Sequence, residues 1–293
     1  GAGGCGGCVA AVRGGSCRAD AALKRSDFWV LSVSNLAIGY GAEAVARDLS
    51  FSLNKGEILA VIGHNGSGKS TLLKTILGIE RVQTGTLTWT TGARPAPLGY
   101  LGQLTDFDRR FPMRVCDLVA PGGWSRLGLF DTAGRAARRQ ADAALDRVGL
   151  RDIARLPLHI LSAGQLQRAL FARTMVQDAQ VIILDEPFAA VDQTTEAELM
   201  QHVLGWVEEG RAVIMALHNL SAALTHCQHA LLLGRGTGRF GRSEVVLTGE
   251  TLVEMGYLAA DQTRWLSQMA APAGPADTAG ADRPSDREDK HNA

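Results

Sequence analysis

The sequence predicts an α/β fold built on a mostly parallel sheet. An early run, Ile58 to Ile62, reads as a strand, and the continuously apolar runs at Val181 to Leu184, Ala212 to Leu217 and Ala230 to Leu233 have the length and composition of buried parallel strands. Helical stretches lie between the later runs, as crossovers between parallel strands require. A glycine-rich octet follows the first run and opens a helix, so strand, tight turn and helix succeed one another without a linker.

In chain order, residues 1 to 27 are mainly Gly, Ala and Arg without apolar periodicity and read as a disordered extension, so folded sequence begins near Phe28, Trp29 and Val30. Trp29 to Ile38, Leu49 to Leu53, Ile58 to Ile62, Thr86 to Thr90 and Leu98 to Leu101 read as strands. From Asp117 to about Val176 the chain reads as mostly helical. There, Ala133 to Val148 sets Ala, Leu and Val on one face and Arg and Asp on the other. Strand and helix then alternate through the three later apolar runs. Ala271 to Ala293 carries almost no large apolar side chain and reads as a disordered tail. No internal repeat is found, so the chain holds one catalytic core.

Composition narrows the function. Of 293 residues, 46% are hydrophobic and 20% charged, enough for a sizeable core in one or two domains. Thirty basic residues balance thirty acidic ones, which excludes a global field recruiting nucleic acid or an anionic membrane surface. No apolar run approaches the roughly 20 residues of a spanning helix. The first residues lack the charged start and long apolar middle of a secretion signal. Five scattered cysteines, Cys5, Cys8, Cys17, Cys116 and Cys227, argue against a disulfide framework and fit a reducing cytoplasm. Cys5 and Cys8 have the gap of a zinc knuckle, but no second pair follows. The seven histidines form no metal cluster, so no bound zinc is expected in this chain.

The strongest motif is Gly63, His64, Asn65, Gly66, Ser67, Gly68, Lys69 and Ser70, continuing into Thr71. This is a Walker A phosphate loop in its strand-to-helix context. Glycines let backbone N–H groups turn toward phosphate oxygens, Lys69 supplies a point charge, and the helix N-terminus adds partial positive charge. The expected ligand is ATP, with Ser70 holding Mg²⁺. Downstream, Val181 to Leu184 ends in Asp185 and Glu186. Two carboxylates at the end of a buried strand can divide the labour: Asp185 coordinates Mg²⁺, and Glu186 polarises the attacking water as general base.

Leu161, Ser162, Ala163, Gly164, Gln165, Leu166, Gln167 and Arg168, just before that strand, resemble the signature motif of the ATP-binding cassette (ABC) family, with Ala163 where the usual pattern has Gly. Ser162 and the Ala163 to Gln165 backbone stand at the start of a predicted helix, where hydroxyl, amides and dipole can receive a γ-phosphate. The resemblance covers about Val30 to Leu258. It implies a P-loop NTPase cassette with a RecA-like core, an antiparallel β subdomain and an α-helical subdomain at about 115 to 161, the whole domain spanning 28 to 260. Position by position, Tyr40 looks like the adenine-stacking aromatic, Gln103 like the glutamine that reaches Mg²⁺ and the γ-phosphate, and His218 like the switch histidine. Asp192, in Ala189-Ala190-Val191-Asp192, looks like the loop residue that crosses the dimer interface.

The family also implies partners: a homodimer sandwiching ATP, an integral membrane permease whose coupling helix enters a groove of the helical subdomain, and, indirectly, an extracytoplasmic substrate-binding protein. The chain would then lie in the cytoplasm, peripheral on the inner face of the membrane. Phe107 to Val119 and Gly122 to Phe130 are similar to the zinc and manganese uptake branch, and within it to AztA-type zinc transporter ATP-binding subunits. Trp124, Leu127, Leu129 and Phe130 read either as a partner contact or as a local core. Other readings kept alongside are an iron-chelate transporter and a non-transport ABC ATPase. The latter usually has two cassettes, a long coiled-coil insertion or a basic surface, none of which this sequence shows.

Overall fold

A computed structural model describes residues 29–41, 43–123 and 131–259. Expectations for residues 1 to 27, Trp124 to Phe130 and 271 to 293 lie outside the described residues. Two sheets form the frame. The first has the order β2-β1-β4, from β1 (Trp29–Tyr40), β2 (Glu43–Asn54) and β4 (Thr84–Trp89), paired antiparallel. The second has the order β5-β6-β7-β3-β8-β9, from β3 (Ile58–Gly63), β5 (Leu98–Leu101), β6 (Val181–Asp185), β7 (Ala212–Leu217), β8 (His229–Gly234) and β9 (Thr237–Arg242). Its first five strands are parallel and β9 is antiparallel.

The apolar runs are continuous because both faces of this sheet are covered. Ile58, Ala60, Ile62, Ile182, Leu184, Met215 and Leu232 belong to one buried cluster. Their chain neighbours Leu59, Val61, Ile183, Ile214 and Leu231 belong to the other. The first cluster joins the sheet to the helical side: α2 (Val115–Val119), α3 (Asp131–Arg147), α4 (Ala163–Gln177) and α5 (Gln193–Glu208). Phe171 of α4 and Trp206 of α5 stack there at 5.2 Å. The second packs the antiparallel sheet and α1 (Lys69–Ile76) against the opposite face.

The structure departs from the sequence reading at several edges. β2 starts at Glu43, well before Leu49, because it pairs with β1 as far as Tyr40 across register shifts. β4 starts at Thr84, two positions before the expected Thr86. β9 carries no apolar alternation: Thr237 to Arg242 has one large apolar residue, Phe240, and glycines that β-propensity disfavours. Its strand state comes from β8 through the Arg235-Gly236 turn, both residues at positive φ (50° and 75°), as a two-residue hairpin demands. The chain continues through α6 (Leu220–His226), α7 (Ser243–Val246) and α8 (Gly249–Glu254). Among the described residues no helix is long and apolar enough to cross a membrane.

Candidate functional site

Because β3, β5, β6 and β7 are parallel, their C-terminal ends open on one edge of the sheet, where α/β proteins place ligands. Asp185 is in register with Ala216, and Ile62 with Leu217, so the loop after β3, the acids ending β6 and His218 after β7 stand at one level. Gln103 lies two residues beyond β5. A cleft of about 480 Å³ opens there, lined by Tyr40, Asn65, Gly66, Gly68, Lys69, Ser70, Thr71, Gln103, Glu186 and His218. Val45, which the sequence reading did not single out, completes the wall.

The loop takes its shape from Gly68, which precedes α1 at φ 101°, a backbone that a side chain would strain. A Cβ there would also press on Val45 at 3.0 Å. Lys69 Nζ donates to the carbonyl oxygens of Gly63 (2.8 Å) and His64 (3.1 Å), which leaves a third ammonium proton for an incoming anion. Burial pulls the Lys69 pKa down, while Glu186 and Asp185 push it back up. Thr71 Oγ1 donates to Tyr40 Oη at 3.0 Å, tying the half-exposed tyrosine to α1.

Across the cleft, Gln103 Nε2 donates to Ser70 Oγ (3.1 Å) and Glu186 Oε1 (3.4 Å). His218 Nε2 lies 2.6 Å from Glu186 Oε1, so that nitrogen carries the proton between them. Glu186 sits at φ 53°, a left-handed backbone, directly after β6. Gln167 of α4, a member of the signature motif with no role legible in sequence alone, holds that turn. Fully buried, its Nε2 donates to Glu186 O (3.2 Å) and Pro187 O (2.7 Å).

Asp185 is 1% exposed, and its Oδ1 has no hydrogen-bond partner. Burial raises its pKa, a hydrogen bond from Ser70 pulls it down, and the Glu186 charge raises it again. An orphaned, desolvated carboxylate oxygen next to the Ser70 hydroxyl is the donor set a hard divalent cation such as Mg²⁺ takes.

Ser162, Ala163, Gly164, Gln165 and Asp192 are not among the residues lining this cleft. Ser162 caps α4: its Oγ accepts Gln165 N–H (3.1 Å) and Gln165 Oε1 accepts Ser162 N–H (2.9 Å), a reciprocal capping box. Asp192 caps α5 by accepting from Thr195 N–H and Oγ1, each at 2.9 Å, and the Thr195 backbone bond holds its carboxyl below the usual range.

The model of the ABC transporter family matches residues 46–189. The manganese transport system ATP-binding protein of Bacillus subtilis is 35% identical over 225 residues, 76% of this chain and 90% of that protein. The chain belongs to the ABC transporter family. It is one of the family's ATP-hydrolysing cassettes, a subunit that binds ATP. A solved metal-chelate type ABC transporter in an inward-facing conformation is similar with a TM-score of 0.69 and 31% identity, over 78% of this chain and 90% of that one. A dimeric bacterial ABC transporter cassette shares the fold, with a TM-score of 0.64 and 23% identity over 73% of this chain and 98% of that one.

Proposed function

We propose that this cassette drives a separate membrane permease for a divalent transition metal, zinc or manganese, by hydrolysing ATP between two copies of itself. The observation that carries the hydrolytic part is the single cleft that brings Lys69, Ser70, Gln103, Glu186 and His218 together. The phosphate loop holds the β and γ phosphates, with the third Lys69 proton and the α1 N-terminus supplying positive charge. Tyr40 stacks on adenine. Mg²⁺, held by Ser70 and Asp185 with Gln103 alongside, supplies charge neutralisation on the phosphates when bound. Glu186 orients the attacking water and takes its proton, while the Nε2–H of His218 fixes the carboxylate and then faces the γ-phosphate. In the dimer, Ser162 and the Ala163 to Gln165 backbone close the partner copy's site, and Asp192 crosses the interface.

The metal cargo rests on the Bacillus subtilis relative, which belongs to a manganese transport system, and on the similarity to zinc subunits in the 107 to 130 stretch. The permease docks from the membrane onto the helical side, residues 115 to 161, with the cassette peripheral on the cytoplasmic face. A cavity of about 460 Å³ lined by Phe107, Phe111, Met113, Leu118 and Pro121 together with Asp108, Asp117 and Arg173 offers a seat of apolar and charged side chains for a coupling helix. Phe107 and Arg173 also border a smaller cavity that reaches Gln103, a physical route from that seat to the cleft.

Ser162→Arg tests the sandwich. This protein should bind ATP with near-normal affinity as a monomer yet lose ATP-dependent dimerisation by size-exclusion chromatography, together with hydrolysis. Undiminished ATPase activity in Ser162→Arg would overturn the mechanism. Cellular manganese and zinc contents in cells lacking the chain separate the two cargoes.

A further inference from the structure

Behind the nucleotide cleft, the end of α8 touches both the phosphate loop and the His218 loop. Helix α8 stops in a paired turn: Gly256 N–H donates to Val253 O (2.9 Å) and Tyr257 N–H to Leu252 O (2.7 Å), with Gly256 at φ 70°. This reversal turns Tyr257 back toward the C-terminal edge of the parallel sheet. The helix end is seated closely on β8, the strand next to β3, with Met255 O occupying the space a Cβ on Gly234 would need.

There the Tyr257 ring stacks on the His64 imidazole, centroids 4.7 Å apart and planes 22° apart. His64 Nε2 donates to Gly256 O at 2.5 Å, which fixes the ring's tautomer and its face toward the tyrosine. Tyr257 Oη donates to the backbone oxygen of His218 at 3.2 Å. Burial raises the Tyr257 pKa, so the phenol stays a proton donor across the working range of pH. The His64 carbonyl accepts from Lys69 Nζ and from Ser67 N–H, and the His218 ring meets Glu186 at 2.6 Å. One half-buried side chain therefore borders the backbone that seats Lys69 and the backbone that carries the partner of Glu186.

We propose that Tyr257 is a positioning residue for ATP hydrolysis: it fastens the His218 loop to the phosphate loop and fixes the offset between the Glu186–His218 pair and Lys69. The inference rests on the reading that Glu186 and His218 carry hydrolysis. It separates two contributions, the ring stack acting on the phosphate loop and the hydroxyl acting on the His218 loop.

The test uses the full chain. Tyr257→Phe keeps the stack and removes the hydroxyl; Tyr257→Leu removes both. Losing one neutral hydrogen bond should lower the kcat of Tyr257→Phe by about fivefold, with KM and the Kd for ATP within about twofold of the unaltered protein. Tyr257→Leu should show the same loss in kcat and, in addition, weaker ATP binding. On a His218→Ala background, Tyr257→Phe should lower kcat no further, since the group it positions is gone. Wild-type kcat in Tyr257→Phe would overturn the proposal, as would an undiminished loss on the His218→Ala background or losses that merely track melting temperature. Glu186→Gln run alongside tells the two levels apart. If it is inactive while Tyr257→Phe is normal, only the positioning role fails; if it still hydrolyses ATP, the hydrolytic reading falls and takes the positioning role with it.

Discussion

Eight consecutive residues, Gly63 to Ser70, make the proposed phosphate loop, whereas Gln103, Glu186 and His218 reach the same cleft from just beyond the ends of three strands, β5, β6 and β7, with Asp185 buried at the end of β6. The loop's shape is local, set by glycine backbone and the start of α1. The facing cluster depends on sheet register and on α4, whose Gln167 holds the Glu186 turn. Damage to the loop should therefore appear first in binding, and damage to the cluster first in turnover.

The largest contrast is between Glu186→Gln and Lys69→Ala. Removing the carboxylate proposed as the base should lower kcat by about 10²- to 10⁴-fold with ATP affinity nearly unchanged. Removing the charge should weaken ATP binding by roughly 10- to 100-fold, as loss of a charge-assisted contact does. Equal losses of affinity in both variants, measured by nucleotide titration, would erase the division between the two regions.

A second probe acts on the cluster from outside the cleft. Gln167→Leu leaves the carbonyl oxygens of Glu186 and Pro187 without their buried donor, so it should cost about 1–2 kcal/mol of stability. Turnover should fall by more than that stability loss explains, because the left-handed Glu186 backbone loses its tether. ATP affinity measured on the same protein should stay close to wild type, and a large change there would make Gln167 part of the loop's support instead.

The smallest effect carries the opposite sign. Burial raises the Asp185 pKa, so the folded chain favours the protonated carboxyl. That contribution is fully present below the unfolded value, near the reference 3.8, and is lost as pH rises through the higher folded value. Asp185→Asn should consequently melt a little higher than the unaltered chain at pH 7 in metal-free, nucleotide-free buffer. The gap should close as the pH falls into the ordinary carboxylate range. A lower melting temperature at pH 7 would show that the charge is already compensated without a cation.

What the sequence made legible follows the same division. The phosphate loop, the Asp185-Glu186 strand end and the Ser162 helix start are each written in contiguous residues, so motif and flanks are enough to find them. The cleft joining Gln103, Glu186 and His218 came through resemblance, since nothing in their spacing brings them together without the sheet. Gln167 and Tyr257 stayed silent because their partners lie 19 or more residues away in sequence, and a buried glutamine or a stacked tyrosine has no local pattern. β9 was missed for a related reason: its strand state is imposed by pairing with β8, against its own composition.

The position of β3 in the sheet also sets an order of assembly. Residues 58 to 62 pair with 213 to 217, and residues 59 to 63 with 229 to 233, a separation of about 155 to 170 positions along the chain. A ribosome that has already released the Gly63 to Ser70 segment must still make most of the remaining cassette before that strand acquires either neighbour. The earliest functional motif to be synthesised is thus among the last to become rigid. Until β7 and β8 arrive, the apolar stretch Ile58 to Ile62 is an unpaired strand that chaperones or its own like could capture.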